Sequence, residues 1–132
     1  MAGTLYIVAT PIGNLGDLTP RAAATFGSVD FVVAEDTRVT LRLLNHLGLK
    51  KPMISYYEHN FTHAWEILRR LEEGQSCALC SDAGMPAISD PGELLVKDAL
   101  ARGIPVTPIP AASACVTALA VSGQATSRWV FE

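Results

Sequence analysis

A chain of 132 residues that is 49% hydrophobic and only 17% charged can bury a sizeable core in a single domain, which excludes disorder as its main state. A net charge of −3 argues against a domain that binds nucleic acid through its own charge alone, because phosphate contacts need clustered Lys and Arg. No apolar run approaches the roughly 18–20 residues of a membrane span, Met1-Ala2-Gly3-Thr4 lacks a basic segment followed by an apolar one, and an odd count of three cysteines fits reduced thiols in a cytoplasmic protein.

In chain order, Leu5-Tyr6-Ile7-Val8-Ala9 is a continuous apolar run, the pattern of a parallel strand buried on both faces. The loop over 10–17 follows, and Thr19 with Pro20 gives a capped helix start; the helix is predicted to reach about Phe26, with Gly27 as its stop. Residues 31–34 form a second strand and Glu35-Asp36-Thr37-Arg38 its loop. Leu41, Leu43, Leu44 and Leu47 make the apolar stripe of a second helix that Gly48 ends. Residues 53–57 are a short strand followed by Glu58-His59-Asn60. Asn60 is placed to cap a helix over 61–73, whose apolar face carries Ala64, Trp65, Ile67, Leu68 and Leu71 and which Gly74 ends.

Residues 77–80 are a fourth strand, and the polar, kinked loop to Gly92 follows. Asp90-Pro91 reads as a cap-plus-Pro start for a helix ending at Gly103. Residues 104–109 form a fifth strand whose two prolines place it at a sheet edge. Ser113 then caps an apolar helix reaching about Ser122. Five strand–helix units in alternation predict an α/β domain: a five-stranded, largely parallel sheet with helices on both faces. The domain is read as residues 1–125, and 126–132 read like the start of a linker or strand, which suggests either a truncated chain or a small domain that closes on itself. In such a sheet every strand-to-helix loop falls on one edge, so these loops line one cleft rim.

The first loop has two glycines but neither G-x-G-x-x-G nor a Lys-Ser/Thr ending, so a dinucleotide or P-loop site is unsupported. It is either a tight turn or a ligand loop. Glu35-Asp36-Thr37-Arg38 is either an N-cap with a local ion pair or a polar cluster holding a substrate, Arg38 suiting a phosphate or carboxylate. His59 is either structural or a proton acceptor or nucleic-acid contact, and no partner spacing suggests a metal. Of Tyr56 and Tyr57, either able to stack on a base, alternation turns one into the core. Cys77 and Cys80 form C-x-x-C inside a strand, where they face opposite sides and lack the helix N-terminus that stabilises a thiolate; redox or metal chemistry is not supported. The loop over 80–92 makes the strongest case. Asp82, Ser89 and Asp90 exceed what a turn needs, Asp90 being a helix cap, and Ala83-Gly84 allows close approach to the backbone. Ser113-Ala114 opens a helix as a cap, or offers its free amides to a ligand.

Four stretches stand in the order and spacing of one family: residues 5–15, Ala34-Glu35-Asp36-Thr37-Arg38, Tyr57-Glu58-His59-Asn60, and residues 81–92. The chain resembles the ribosomal RNA small subunit methyltransferase I family of the tetrapyrrole methylase superfamily. The resemblance implies two α/β domains with S-adenosylmethionine in the cleft between them, a homodimer, and methyl transfer to a ribose 2′-hydroxyl of a cytidine in small-subunit rRNA. This sequence matches the first domain only, which implies weak or no catalysis by the chain alone. By motif position the cofactor-facing residues are Pro11 and Ile12, then Ala83, Gly84, Met85 and Ile88, then Ser113 and Ala114. Two positions depart from the family: Met85 stands where Thr is usual, and Ala111-Ala112 where Gly-Pro is usual.

A 2′-hydroxyl is a poor nucleophile, so a general base is expected, and Asp36 or His59 is the candidate. Glu35, Arg38, Asn60 and Asp82 are candidate substrate contacts, and Arg38, Arg42, Lys50, Lys51, Arg69 and Arg70 a candidate basic face for RNA. The rival readings are another methylase of the superfamily, acting on a tetrapyrrole or a protein side chain, and a non-catalytic nucleotide-binding module.

Overall fold

The computed structural model describes residues 1–57 and 62–132. Glu58, His59, Asn60 and Phe61, and with them the expected Asn60 cap, lie outside the described residues. The elements are β1 (Leu5–Val8), α1 (Pro20–Ser28), β2 (Phe31–Ala34), α2 (Thr37–His46), β3 (Met53–Ser55), α3 (Thr62–Glu72), β4 (Cys77–Cys80), α4 (Glu93–Ala101), β5 (Val106–Ile109) and α5 (Ala114–Val121), with a short 3-10 turn at Leu15–Asp17. The strands form one parallel sheet in the order β3-β2-β4-β1-β5. The expected five-stranded parallel sheet is therefore present, with β5 and its prolines at an edge.

Alternation along the central strands divides the core into two layers. On one face Leu5, Ile7, Phe31, Val33, Cys77 and Leu79 pack with Ile67, Leu68 and Leu71 of α3 and Leu95 and Ala99 of α4. On the other, Val8, Val32, Ala34, Ala78 and Cys80 pack with Ala22 and Phe26 of α1 and Leu43 and Leu44 of α2. Fully burying one such side chain contributes about 1.5–3 kcal/mol, and truncating Leu79 to Ala would cost about 2–5 kcal/mol. Tyr56 is buried and Tyr57 exposed, as the alternation requires.

This layering fixes where a cleft opens. Neighbouring strands β1 and β4 send their connections to opposite faces, β1 into α1 and β4 into α4. The carboxyl ends of these two strands are thus a topological switch point, where open α/β sheets hold ligands.

Several local expectations change. Gly27 lies inside α1, which runs to Ser28; Thr19 Oγ1 accepts from the Ala22 amide at 3.1 Å and Pro20 occupies the first position, so the start is as read but the stop is not. One glycine costs only about 1 kcal/mol in a helix, and Phe26 and Val29 hold this one down. Helix α4 starts at Glu93, and its N-cap is Gly92, not Asp90; Gly92 has φ +117° and makes no side-chain cap bond. Trp65 faces solvent, 65% exposed, with the Arg69 guanidinium 5.8 Å from its ring centre. Residues 126–132 form no strand.

Candidate functional site

The loops after β1 and β4 are tied across the switch point. Thr10 N–H donates to Gly84 O at 3.0 Å, and Gly84 N–H donates to Thr10 O at 2.9 Å. Gly84 holds φ +77°, and a β-carbon there would lie 3.4 Å from Ile12 Cγ2 and 3.7 Å from Ala112 O. Three loops therefore converge on a backbone kept bare by glycine. The rest of the loop before α4 is held in uncommon geometry, with Ala87 at φ 70° and Ser89 at φ 46°. Ser81 is buried, and its hydroxyl donates to Ala83 O at 3.1 Å, which gives it a turn-forming role.

The loop after β2 joins the same rim. The Asp36 amide donates to Asp82 Oδ1 at 3.2 Å, and the Ser55 hydroxyl donates to Glu35 O at 3.3 Å. Asp36 caps α2, its Oδ1 accepting from the Arg38 amide at 2.9 Å. It also meets the Arg38 guanidinium with both oxygens, at 3.1 and 3.0 Å. Those bonds hold the Asp36 carboxyl below the usual carboxylate range. Both readings of this loop are thus visible in one arrangement: a cap with a local ion pair, presenting a guanidinium whose side chain is 87% exposed.

Three carboxyls face one another here. Burial, then the charges of Asp82 and Asp90, push Glu35 above its ordinary value. Burial also raises Asp90, with a smaller contribution from Asp82. Asp90 Oδ2 is buried without a hydrogen-bond partner among the described residues. No group of three or more His, Cys, Asp or Glu among the described residues is placed to hold a metal ion.

Beside this rim lies a pocket of about 360 Å³. Its walls are Thr10, Pro11, Gly13, Asn14 and Leu15 of the first loop, Val39, Thr40, Arg42 and Leu43 of α2, and Ser81 and Asp82. Thr10 is buried with its Oγ1 unpartnered among the described residues. The sequence placed Asn14 in the first loop and Arg42 on the candidate basic face, but passed over Thr40, whose signal was its position on the helix flanking the switch point.

Of the residues expected to face a cofactor, Ile12 and Gly84 are adjacent, and Ala112 brings Ser113 and Ala114 to the same place. Ser113 is the N-cap residue of α5, its carbonyl accepting from the Thr117 amide at 3.1 Å, but its side chain makes no cap bond; its Oγ lies 3.5 Å from Cys115 Sγ. Its expected capping bond is therefore not formed, and first-turn amides of α5 remain open to a ligand. Ala83 and Ile88 are exposed, while Met85 packs partly on the α3/α4 layer. Apolar Ile12 thus stands beside the Gly84 backbone and the start of α5, an apolar side chain next to helix amides that could meet a ligand's polar groups. His59 and Asn60 lie outside the described residues.

The basic face is narrower than its sequence suggests. Lys51 donates to Gly27 O and Val29 O, Arg69 pairs with Glu73, and Arg70 bonds Gln75 while lying 3.8 Å over the Phe31 ring. Arg38, Arg42 and Lys50 stay exposed.

The buried C-x-x-C pair is chemically quiet. Cys77 and Cys80 occupy opposite core layers, and burial pushes the Cys80 thiol up to about 12 and Cys77 higher still.

A parallel sheet whose β1 and β4 loops meet at a topological switch point defines a class of open α/β domains. Within that class the sequence pattern of the family described as Tetrapyrrole (Corrin/Porphyrin) Methylases matches residues 4–130, and the chain belongs to this family. It is 55% identical over 131 residues to ribosomal RNA small subunit methyltransferase I of Xylella fastidiosa (strain Temecula1), covering 98% of this chain and 48% of that protein. The protein of the same name from Synechocystis is 54% identical over 131 residues, covering 98% of this chain and 47% of the relative. The chain thus spans about half the length of the curated relatives it matches. Among solved structures, uroporphyrin-III-C-methyltransferase from Thermus thermophilus shares the fold with a TM-score of 0.67 at 21% identity, over 96% of this chain and 54% of that one. A putative cobalamin synthesis related protein (CobF) from Corynebacterium diphtheriae does so with a TM-score of 0.67 at 18% identity, over 97% and 61%.

Proposed function

We propose that this chain is the N-terminal half of an S-adenosylmethionine-dependent methyltransferase acting on a ribose 2′-hydroxyl of a cytidine in small-subunit rRNA. The observation that carries the cofactor reading is the convergence of Ile12, Gly84 and Ala112 at the switch point, where Gly84 holds a left-handed backbone that favours glycine. The names of the relatives more than half identical to it support the rRNA substrate. Pro11, Ile12, Ala83, Gly84, Met85, Ile88, Ser113 and Ala114 supply one wall of the cofactor cleft. The opposite wall comes from a second domain, so the chain alone has weak or no activity. The working form is a cytoplasmic homodimer acting on rRNA or the assembled small subunit. Exposed Val116, Val121, Trp129, Val130 and Phe131 are consistent with a surface covered in that form.

The cofactor, when bound, supplies the methyl group on a sulfonium centre. The protein's part is alignment, exclusion of water and removal of the hydroxyl proton. Arg38, held by Asp36 at the start of α2, is positioned to pair with a phosphate of the RNA. Asp36 and His59 are the sequence candidates for the proton acceptor. The ion-paired Asp36 is the weaker base, and Glu35, whose carboxyl is held above its ordinary value, is the stronger acceptor on the same loop. Asp82 and Asn60 complete the substrate contacts.

Calorimetric titration of the chain with S-adenosylmethionine, its demethylated product and NAD tests the cofactor reading. The first two should bind, and binding of NAD alone would overturn it in favour of a non-catalytic nucleotide module. Methylation of small ribosomal subunits by a form extended with a second domain tests the substrate. In that form, wild-type rates for Glu35→Gln, Asp36→Ala and His59→Ala, each made singly, would remove all three from the proton step.

A further inference from the structure

We propose that the pocket between the β1 loop and α2 takes the base of the acceptor cytidine, with Asp82 and Asn14 reading its edge and Arg42 holding its phosphate. This rests on the reading of the chain as a ribose methylase. The pocket, about 360 Å³, is of ligand size and shares only Pro11 with the residues assigned to the cofactor. It is therefore a separate compartment that abuts the cofactor groove across the first loop. Methyl transfer needs that relation, since donor and acceptor must touch without occupying one site.

The walls suit a flat heterocycle. Leu15, Val39 and Leu43 give apolar surface, and the polar groups are few. Asn14 Oδ1 is already used, accepting from the Gly16 amide at 2.9 Å, so its amide NH₂ is left as a donor. Asp82 Oδ1 is used by the Asp36 amide at 3.2 Å, so its other oxygen is left as an acceptor. Cytosine presents one amino donor beside two acceptors, N3 and O2. A carboxylate accepts from the amino group and an amide donates to the acceptors. Uracil presents a carbonyl where cytosine has its amino group, and that carbonyl would face the Asp82 carboxylate. The pocket therefore discriminates cytosine from uracil by charge as well as by hydrogen bonding. Arg42 is exposed on the pocket wall and makes no hydrogen bond or ion pair among the described residues, which leaves its fork for a phosphate.

The test is a nuclear magnetic resonance titration of the chain with cytidine 5′-monophosphate and uridine 5′-monophosphate, alongside calorimetry with S-adenosylmethionine. Cytidine monophosphate should bind about tenfold more tightly than uridine monophosphate and shift the resonances of Asn14, Val39 and Leu43. Asp82→Ala should abolish the preference. Arg42→Ala should weaken the monophosphate about tenfold while leaving the nucleoside cytidine unaffected. Val39→Trp, filling the pocket, should block both, and all three variants should bind S-adenosylmethionine as the wild type does. Equal affinities for the two nucleotides, a preference that survives Asp82→Ala, or shifts confined to Ile12, Gly84 and Ser113 would overturn the assignment. So would the absence of any nucleotide binding by a chain that still binds S-adenosylmethionine, an outcome that leaves the methylase reading intact. Failure of the wild-type chain to bind S-adenosylmethionine would instead count against that reading and leave any pyrimidine preference of the pocket standing.

Discussion

Thr10 and Gly84 exchange both of their backbone hydrogen bonds, at 3.0 and 2.9 Å, so the loops leaving β1 and β4 behave as one piece. Gly84 carries that joint at φ +77°, with the place of its missing β-carbon in ordinary contact with Ile12 and Ala112. Gly84→Ala should therefore cost about 1–2 kcal/mol, mainly from forcing a left-handed backbone on an L-residue. The loss of S-adenosylmethionine affinity should exceed that stability loss, because the added methyl group occupies the groove. Thermal unfolding and calorimetry on the same variant separate the two effects.

Gly92 should respond chiefly through stability. Its φ is +117°, and a β-carbon would lie 2.7 Å from Cδ2 of the buried Leu79. Gly92→Ala combines backbone strain with overpacking and should destabilise by about 2–4 kcal/mol. The midpoint of urea unfolding should fall further than for Gly84→Ala, and Leu79→Val in the same chain should recover part of the loss.

The thiols should divide by burial. Cys77 and Cys80 are buried, and Cys80 Sγ lies 3.6 Å from Thr40 Oγ1 deep in the α2 layer. Cys115, half-buried near the start of α5, should be the first to react. Titration with a disulfide reagent at mild alkaline pH should modify one thiol in the folded chain and all three of its cysteines after denaturation.

Glu35 makes stability depend on pH. Its folded value lies above the ordinary 4.5, through burial first and then the charges of Asp82, Asp90 and Asp36, against which the Asp82 amide acts. The folded chain therefore holds this proton more tightly than the unfolded chain does. The resulting stabilisation is complete below pH 4.5 and is lost as pH rises through the folded value. Glu35→Gln should raise the melting temperature near neutrality more than at pH 4 and flatten the profile between. A uniform shift across that range would rule out the carboxyl as the cause.

Much of this architecture is written in local pattern. The apolar runs at 5–9, 31–34 and 77–80 become the three central strands because continuous apolarity has no other stable use at that length. Cys77 and Cys80 divide between the two layers because side chains alternate along a strand. What was not legible depends on partners far along the chain. Asp90 looks like a cap, but Ala87 and Ser89 turn the loop so that Gly92 takes that place. Trp65 stands at helical spacing from Leu68, three residues on, yet sits on the outer face with the Arg69 guanidinium over its ring. The Thr10–Gly84 pairing and the pocket beside it arise from strand order, which no local signal encodes. The loops were recognisable as one rim, but the pocket between the first loop and α2 required the fold.

Strand β5 has a consequence for how the sheet ends. Pro105 O and Ile109 O accept from Leu5 and Ala9, so the odd positions turn their carbonyls toward β1. Pro108, opposite Ile7, therefore turns its nitrogen outward, where a proline costs no bond to β1. The same nitrogen has no hydrogen to offer a newcomer on the free side. Edge-to-edge pairing along β5 thus lacks one donor of its ladder, which makes this border a poorer template for another strand than β3, whose Met53, Ile54 and Ser55 all keep their N–H groups.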